Sequence, residues 1–141
     1  MVYRFTAQYE LAHVVSIKGR GGDQCPMFSA PSRRNSAKAL LFVLGVDKIK
    51  DVLCDRLEIK TRGPGYIHIP EALSGEYWQQ LNAEKKESYI ERGRTVSVWK
   101  QLRERNEALD CAVYAFAAFE LFCIGRRRAQ NIKTHVRRRL S

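Results

Sequence analysis

Two carboxylates three residues apart, Glu107 and Asp110, are the residues of this sequence best suited to carry chemistry. They begin a stretch rich in Ala, Leu and Phe that contains neither Gly nor Pro until Gly125, which predicts a long helix. Residues three or four positions apart share a helix face, so both carboxylates and Tyr114 lie on the same side. Carboxylate oxygens are ligands for hard divalent cations. The pair is therefore a candidate metal site.

The same helix is apolar around most of its circumference, which predicts a buried helix. One face follows the i, i+3, i+4, i+7 spacing and consists of Leu109, Ala112, Val113, Phe116 and Phe119. A second apolar set covers much of the remaining circumference and consists of Ala108, Ala115, Ala118, Leu121 and Phe122. Carboxylates are rarely buried unless they are paired or bind a metal. Two interpretations stay open. The acids either favour the helix N-terminus and pair with Arg103 or Arg105, or they hold a divalent cation, with Asp110 as the first ligand and Glu107 as the second.

The segments before this helix alternate between strand and helix patterns, which predicts an α/β domain with a mixed sheet. The expected elements are a helix over 2–12, a strand over 14–17, a strand over 39–44, a helix over 48–57, a strand over 66–69, a helix over 74–86, and a hairpin of 88–91 with 95–99. The run 39–44 is continuously apolar, as in a central strand buried on both faces. Asp47 follows it and is placed to cap the next helix, or alternatively to approach the metal site.

Positive charge is concentrated at the C-terminal end. The net charge is +10, and residues 125–141 carry seven cations and no acid. Such a basic tail indicates either attraction to a polyanion, most commonly nucleic acid, or a solubilising terminus. The loop 19–22 is either a flexible turn or a phosphate cradle. The candidate nucleic-acid contacts are Lys18, Arg20, Arg92, Arg94, Lys100, Arg105, Arg126, Arg127 and Arg128.

The four cysteines show no Cys-x-x-Cys spacing, so we do not expect a zinc site. Without a secretory segment before them, reduced thiols inside a cell are expected. The longest apolar run, 111–122, is too short for a membrane span and contains Glu120. We therefore expect no membrane partner.

Six sequence blocks resemble the nuclease region of the GpA-type terminase large subunit of tailed phages. The block Arg105–Cys111, followed by Val113, Tyr114 and Ala115, resembles the closing helix of that family. The other blocks match in the same order: 2–5, 16–22, 44–47 with 50–51, 63–70, and 77–85. The resemblance covers residues 2–124.

The resemblance implies an RNase H-like mixed sheet with flanking helices, incomplete at its N-terminus. Residues 1–124 would be a partial nuclease domain and 125–141 a basic tail. In the family, acids on the first nuclease strands complete a Mg²⁺ or Mn²⁺ site with the acid of the last helix. The resemblance therefore implies Asp110, with Glu107, as catalytic metal ligands. The family's early acids and its ATPase region would lie before Met1, and the sequence contains no phosphate-loop motif.

We accordingly expect a fragment of a DNA-packaging endonuclease that binds metal weakly and cuts double-stranded DNA poorly or not at all. Missing strands would also leave an exposed edge beside the central strand. The implied partners are DNA and, in the parent family, the terminase small subunit or portal, in the cytoplasm of a bacterial host. The alternative is a small basic nucleic-acid-binding protein without catalysis, in which the acid pair is structural and the tail binds.

Overall fold

The computed structural model describes residues 1–10 and 14–140, and side chains as far as residue 125. The elements run in the order α1 (Val2–Gln8), β1 (Ser16–Arg20), β2 (Leu41–Gly45), α2 (Val46–Leu57), α3 (Gly75–Leu81), β3 (Glu84–Glu91), β4 (Arg94–Gln101) and α4 (Glu107–Leu140). This is the mixed α/β composition that the sequence predicts. The expected helix over 2–12 is confirmed as far as Gln8, and residues 11 and 12 lie outside the described part.

The strands β1 and β2 pair in parallel, with Ser16 opposite Leu41 and Arg20 opposite Gly45. The second edge of β2 is hydrogen-bonded to an extended segment, since Ser29 donates to Val43 at 3.0 Å and Gly45 donates to Met27 at 3.0 Å. β2 is therefore flanked on both sides, as a central strand should be. The exposed edge that we expected beside this strand lies instead on β1, which pairs with no other strand in the described ranges.

The predicted hairpin is confirmed and is longer than expected. β3 and β4 pair antiparallel from Glu84 opposite Gln101 to Glu91 opposite Arg94. Positive φ angles at Arg92 (49°) and Gly93 (74°) form the two-residue turn that matches the natural twist of a hairpin. The hairpin does not join β1 and β2: both edges of β2 are occupied, and β1 pairs with neither strand of the hairpin in the described ranges. The single mixed sheet that we predicted is therefore wrong: the described residues form two separate two-stranded sheets.

Two element predictions between the sheets are also wrong. Residues 66–69 make no strand, although their apolar pattern suggested one. The predicted helix 74–86 ends at Leu81. The Ser74 hydroxyl caps its start by accepting from the Tyr77 amide at 3.2 Å. Residues 84–86 pair with β4, and this tertiary pairing overrides their local preference for helix.

The core forms where α4 crosses β2 and α2. It consists of the side chains of Leu44, Ile49, Leu53, Leu109, Val113 and Ala117. The expectation that α4 is buried all round is wrong, because Phe119 is 58% exposed and Phe122 is 61% exposed. Cys111, which lies on the same helix, is exposed as well. As far as residue 125, where side chains are described, α4 packs against the domain along one stripe.

The segment Glu107–Gly125 of α4 is long and apolar enough to cross a membrane, with a mean hydropathy of 1.7. This criterion rests on length and composition alone, and the core helix of a globular domain also meets it. Three residues of the segment, Leu109, Val113 and Ala117, are core residues here. The apolar character of α4 is thus explained in part by its packing on the domain.

Candidate metal and nucleic-acid site

The start of α4 is fixed by side chains from α3 and β3. The Gln80 side-chain carbonyl accepts a hydrogen bond from the Ala108 amide at 3.2 Å, which satisfies one of the free N–H groups of the helix N-terminus. Just before the helix, the Asn106 amide nitrogen donates to Glu84 Oε1 at 3.1 Å. The Asn106 carbonyl then accepts from the Asp110 amide at 3.1 Å. These contacts place the first turn, and with it Asp110, relative to the hairpin.

A buried ion pair also fixes the start of α4. Lys50 Nζ of α2 is 2.5 Å from Glu84 Oε2, and the two side chains are only 8% and 9% exposed. The ammonium also lies 5.8 Å from the centre of the Trp99 ring. Glu84 therefore holds α2 with one oxygen and the segment before α4 with the other. A charge this deeply buried requires its partner, so the pair fixes both elements together.

Polar contacts also hold the hairpin against α2. Asp51 accepts hydrogen bonds from Lys86 Nζ at 2.9 Å and from the Trp99 indole nitrogen at 3.1 Å. The hydrogen bond to Asp51 raises the pKa of the Lys86 ammonium. In the loop after β1, Asp23 accepts from the Ser97 amide at 3.3 Å. Asp23 and Asp51 are thus engaged in holding the hairpin.

Asp110 lies near the carboxyl ends of β1 and β2. The hydroxyl of Tyr114 packs so closely on Gly19 that a Cβ atom there would come within 3.2 Å of it. Farther along α4, Ala118 and Leu121 lie beside Val15 and Leu40 at the opposite ends of the strands. α4 therefore runs antiparallel to β1 and β2, and Asp110, one turn before Tyr114 on the same face, lies toward their carboxyl ends. Asp110 is half-buried, and no hydrogen bond or ion pair engages its carboxylate within the described side chains.

Glu107 has a different environment. Its side chain is 61% exposed, and it lies 3.5 Å from the Arg105 guanidinium. This is the surface pairing described by our first interpretation of the acids. The two carboxylates of the motif are thus separated: Glu107 has an exposed salt bridge and Asp110 has none.

Asp47 occupies the first turn of α2 and does not cap it, so the capping interpretation is wrong. The N-cap position is Gly45, where no side-chain hydrogen bond forms. The Asp47 carboxylate instead accepts a hydrogen bond from the Gly22 amide at 2.7 Å. This bond ties the loop after β1 to the helix after β2, at the same strand ends that Asp110 approaches.

The described residues do not supply a complete metal site. No group of three His, Cys, Asp or Glu side chains converges within the part of the chain whose side chains are described. Mg²⁺ and Mn²⁺ require several oxygen ligands in near-octahedral geometry. Asp110 can supply one ligand to such a site but cannot form the site alone. Asp23 and Asp47 already accept hydrogen bonds from backbone amides.

The basic residues proposed from the sequence fall into three surroundings. Lys18 and Arg20 are exposed on β1, and Arg92 and Arg94 are exposed at the hairpin tip. Lys100 lies 3.6 Å from Glu87, and Arg105 pairs with Glu76 and Glu107, so both of these cations are partly neutralised. The sequence did not single out Lys85, which lies directly opposite Lys100 in the hairpin. The side chains of Arg126, Arg127 and Arg128 lie outside the described part.

Comparison with known proteins agrees with the resemblance that the six sequence blocks indicate. The family model for the terminase large subunit gpA, endonuclease domain, matches residues 1–131. The chain is 33% identical over 129 residues to the terminase large subunit of Escherichia phage lambda and 30% identical over 129 residues to that of Enterobacteria phage P21. Each match covers 86% of this chain and 20% of the relative. No solved structure matches the chain.

The chain therefore belongs to the family of terminase large-subunit endonuclease domains. It spans about a fifth of the length of the phage relatives that it matches. The resemblance read from the sequence is confirmed at the level of the family.

Proposed function

We propose that this chain is part of a DNA-packaging terminase endonuclease and contributes Asp110 to a divalent-metal site for cleavage of double-stranded DNA. The observation that carries the proposal is the half-buried, unpaired carboxylate of Asp110 beside the carboxyl ends of two parallel strands. A partly buried carboxylate with no partner among the described side chains is available to bind a cation, and a divalent cation suits an oxygen ligand. We further propose that the parallel strands and α4 belong to an RNase H-like arrangement.

The proposal assigns different roles to the two acids. Asp110 is the metal ligand, because no other described group neutralises it. Glu107 is a weaker candidate, since its salt bridge with Arg105 already satisfies it at the surface. The chain's own residues do not complete the ligand set, so we assign no cleavage step to this chain alone. We expect weak binding of Mg²⁺ or Mn²⁺, and little or no cutting by the isolated chain.

Paramagnetic Mn²⁺ tests the ligand assignment even when binding is weak. Substoichiometric Mn²⁺ should broaden backbone amide signals around Asp110 and Gly22 in a two-dimensional NMR spectrum of the whole chain. Asp110→Asn should remove this broadening, whereas the matched control Glu107→Gln should leave most of it. Broadening that survives Asp110→Asn, or that centres on another acidic surface, would contradict the assignment.

The basic residues supply the proposed contacts with DNA. Arg92 and Arg94 lie at the hairpin tip without ion pairs in the described part, and the segment 125–141 carries seven further cations. Phosphate contacts of this kind position a nucleic acid without reading its sequence. Lys18, Arg20, Lys100 and Arg105 stay predictions for the same role. The terminase small subunit and portal are further proposed partners, and the host cytoplasm is the proposed location.

A second function, nucleic-acid binding without catalysis, is favoured by this concentration of charge near the C-terminus. In that case Asp110→Asn leaves DNA affinity unchanged. The triple variant Arg126→Gln/Arg127→Gln/Arg128→Gln weakens DNA binding, and the slope of log affinity against log salt concentration falls by the contribution of about three phosphate contacts. Measuring DNA binding by fluorescence anisotropy at several salt concentrations, beside the Mn²⁺ titration, separates the two functions. DNA binding with no Mn²⁺ effect at Asp110 supports the second.

A further inference from the structure

A cavity of about 390 Å³ lies between α2, α3, α4 and the segment 67–73. Its inner walls include the buried side chains of Leu53 and Leu109, which belong to the core. Its rim reaches the protein surface at Leu57 and Phe119, both of which are exposed. Cavities of this size that combine apolar walls with a few polar groups are the usual binding sites for small molecules.

Most of the cavity lining is apolar. Three aromatic rings contribute to it, Tyr77 of α3, Trp99 of β4 and Phe116 of α4. The segment 67–73 forms no strand and instead contributes Ile67 and Ile69 to the same lining. A hydrocarbon group that enters the cavity loses contact with water, and its binding free energy grows with the apolar area that it buries.

One cation belongs to the lining. The guanidinium of Arg56 lies 4.7 Å from the centre of the Phe116 ring, and this contact holds it against the cavity wall. Its ion pair with Glu120 spans 3.7 Å, which is longer than a hydrogen bond, and Glu120 does not line the cavity. A guanidinium has five N–H donors, so Arg56 can also bind a carboxylate inside the cavity.

The other polar groups of the lining do not offset this positive charge. Glu84 is the one acid among the described side chains that line the cavity, and its carboxylate is bound to Lys50. His68 adds a ring N–H, which an imidazole can donate in its neutral or its charged form. The cavity therefore combines apolar walls with N–H donors and a positive charge, which suits an anion that has an apolar body.

We propose that this cavity binds a small apolar carboxylate. The hydrocarbon part lies among the aromatic and aliphatic side chains, and the carboxylate accepts hydrogen bonds from Arg56. The hydrocarbon part gives affinity, while Arg56 gives selectivity for the acid over neutral or cationic molecules of the same length. Asp110 does not line the cavity, so this site is separate from the proposed metal site and does not depend on it.

Straight-chain carboxylates below their micelle-forming concentrations test the proposal with the whole chain. The chain contains two tryptophans, so its two-dimensional NMR spectrum has two indole signals, and Trp78→Phe identifies the one that belongs to Trp99. Octanoate should shift the Trp99 signal and saturate at one site. Decanoate should bind about tenfold more tightly, since two further methylene groups are buried. Octanol and octylamine should bind about tenfold or more weakly than octanoate, because neither accepts a charge-assisted hydrogen bond from Arg56.

Two variants with matched controls separate the roles of the cavity and of the cation. Ala112 lines the cavity, so Ala112→Leu fills part of it and should abolish the saturable shift, whereas Ala115→Leu, at an exposed position of the same helix, should not. Arg56→Gln should remove the preference for octanoate over octanol and leave octanol binding unchanged. Arg62→Gln, at an exposed position outside the cavity lining, should keep that preference.

Circular dichroism establishes that each variant is folded, and Arg56→Gln provides an independent readout if Ala112→Leu unfolds. Three results would overturn the proposal. The first is that neither octanoate nor decanoate gives a saturable shift of the Trp99 signal. The second is that a folded Ala112→Leu variant binds octanoate as well as the unsubstituted chain. The third is that octanol binds the unsubstituted chain as tightly as octanoate does.

Discussion

The buried pair between Lys50 and Glu84 gives the sharpest stability prediction. Glu84→Gln removes the negative charge but keeps an oxygen that can accept from Asn106. The Lys50 ammonium, 8% exposed, would then be left in the interior beside the Trp99 ring without its counter-charge. Removing one partner of a buried pair typically costs about 3–5 kcal/mol. We expect the free energy of unfolding to fall by about that amount.

The double variant Lys50→Met/Glu84→Gln isolates the cause. It removes both charges and keeps a side chain of similar length at position 50, so the unpaired ammonium no longer exists. Replacing a buried ion pair by groups of similar volume is often close to neutral. We therefore expect the double variant to recover most of the stability lost in Glu84→Gln. As a surface control, Glu76→Gln removes one of the two exposed partners of Arg105 and should cost less than about 1 kcal/mol.

Urea unfolding followed by tryptophan fluorescence measures these differences, because Trp99 lies beside the pair. Single-domain chains of this size have free energies of unfolding of about 5–15 kcal/mol, so the predicted loss shifts the midpoint strongly. If Glu84→Gln cost no more than Glu76→Gln, the buried pair would not stabilise the fold as described. If the double variant were as unstable as Glu84→Gln, the unpaired ammonium would not be the cause of the loss.

Two further predictions concern a glycine and the cysteines. Gly45→Ala should destabilise the domain by about 1–3 kcal/mol or more, because the added Cβ would come within 2.5 Å of the Pro26 carbonyl oxygen. Gly75→Ala is the matched control in the same urea assay, since a Cβ added at Gly75 meets no neighbouring atom within 4 Å. Cys111 is exposed and should react with iodoacetamide before Cys54, whose thiol pKa is raised by burial and nearby acids. Mass spectrometry of peptides from a time course measures the order, and faster labelling of Cys54 would contradict it.

Local sequence patterns predicted the turn of the hairpin and the start of the last helix. The Arg92–Gly93 pair between two segments with strand character favours a tight turn, and the turn forms as expected. The spacing of Leu109, Val113 and the residues around them identified the packed stripe of α4. These features depend on near neighbours in the chain, so one sequence is enough to find them.

Tertiary arrangement could not be predicted in the same way. Residues 66–69 have an apolar pattern but no partner strand, and a strand requires one. Asp47 has a residue type and position suited to capping, yet its partner is the Gly22 amide, 25 residues away. The continuous apolar character of α4 gave no warning that Phe119 would be exposed. Each of these outcomes depends on which distant segments meet.

The assignment of Asp110 and Glu107 as metal ligands stays a prediction. The structure separates the two acids, since Asp110 is half-buried whereas Glu107 lies at the surface with Arg105. What separates the two acids is their exposure to solvent, which depends on how α4 packs against the domain. The contact of Tyr114 with Gly19 is part of that packing, and the sequence pattern does not reveal it.

DNA cleavage by a hybrid large subunit tests the central role of Asp110 most directly. In the hybrid, this chain replaces the matching 129 residues of the phage lambda relative. We predict Mg²⁺-dependent cleavage of double-stranded DNA that falls by about a hundredfold or more with Asp110→Asn and persists with Glu107→Gln. A folded hybrid that does not cut DNA, or one that cuts equally well with Asp110→Asn, would contradict the role of Asp110.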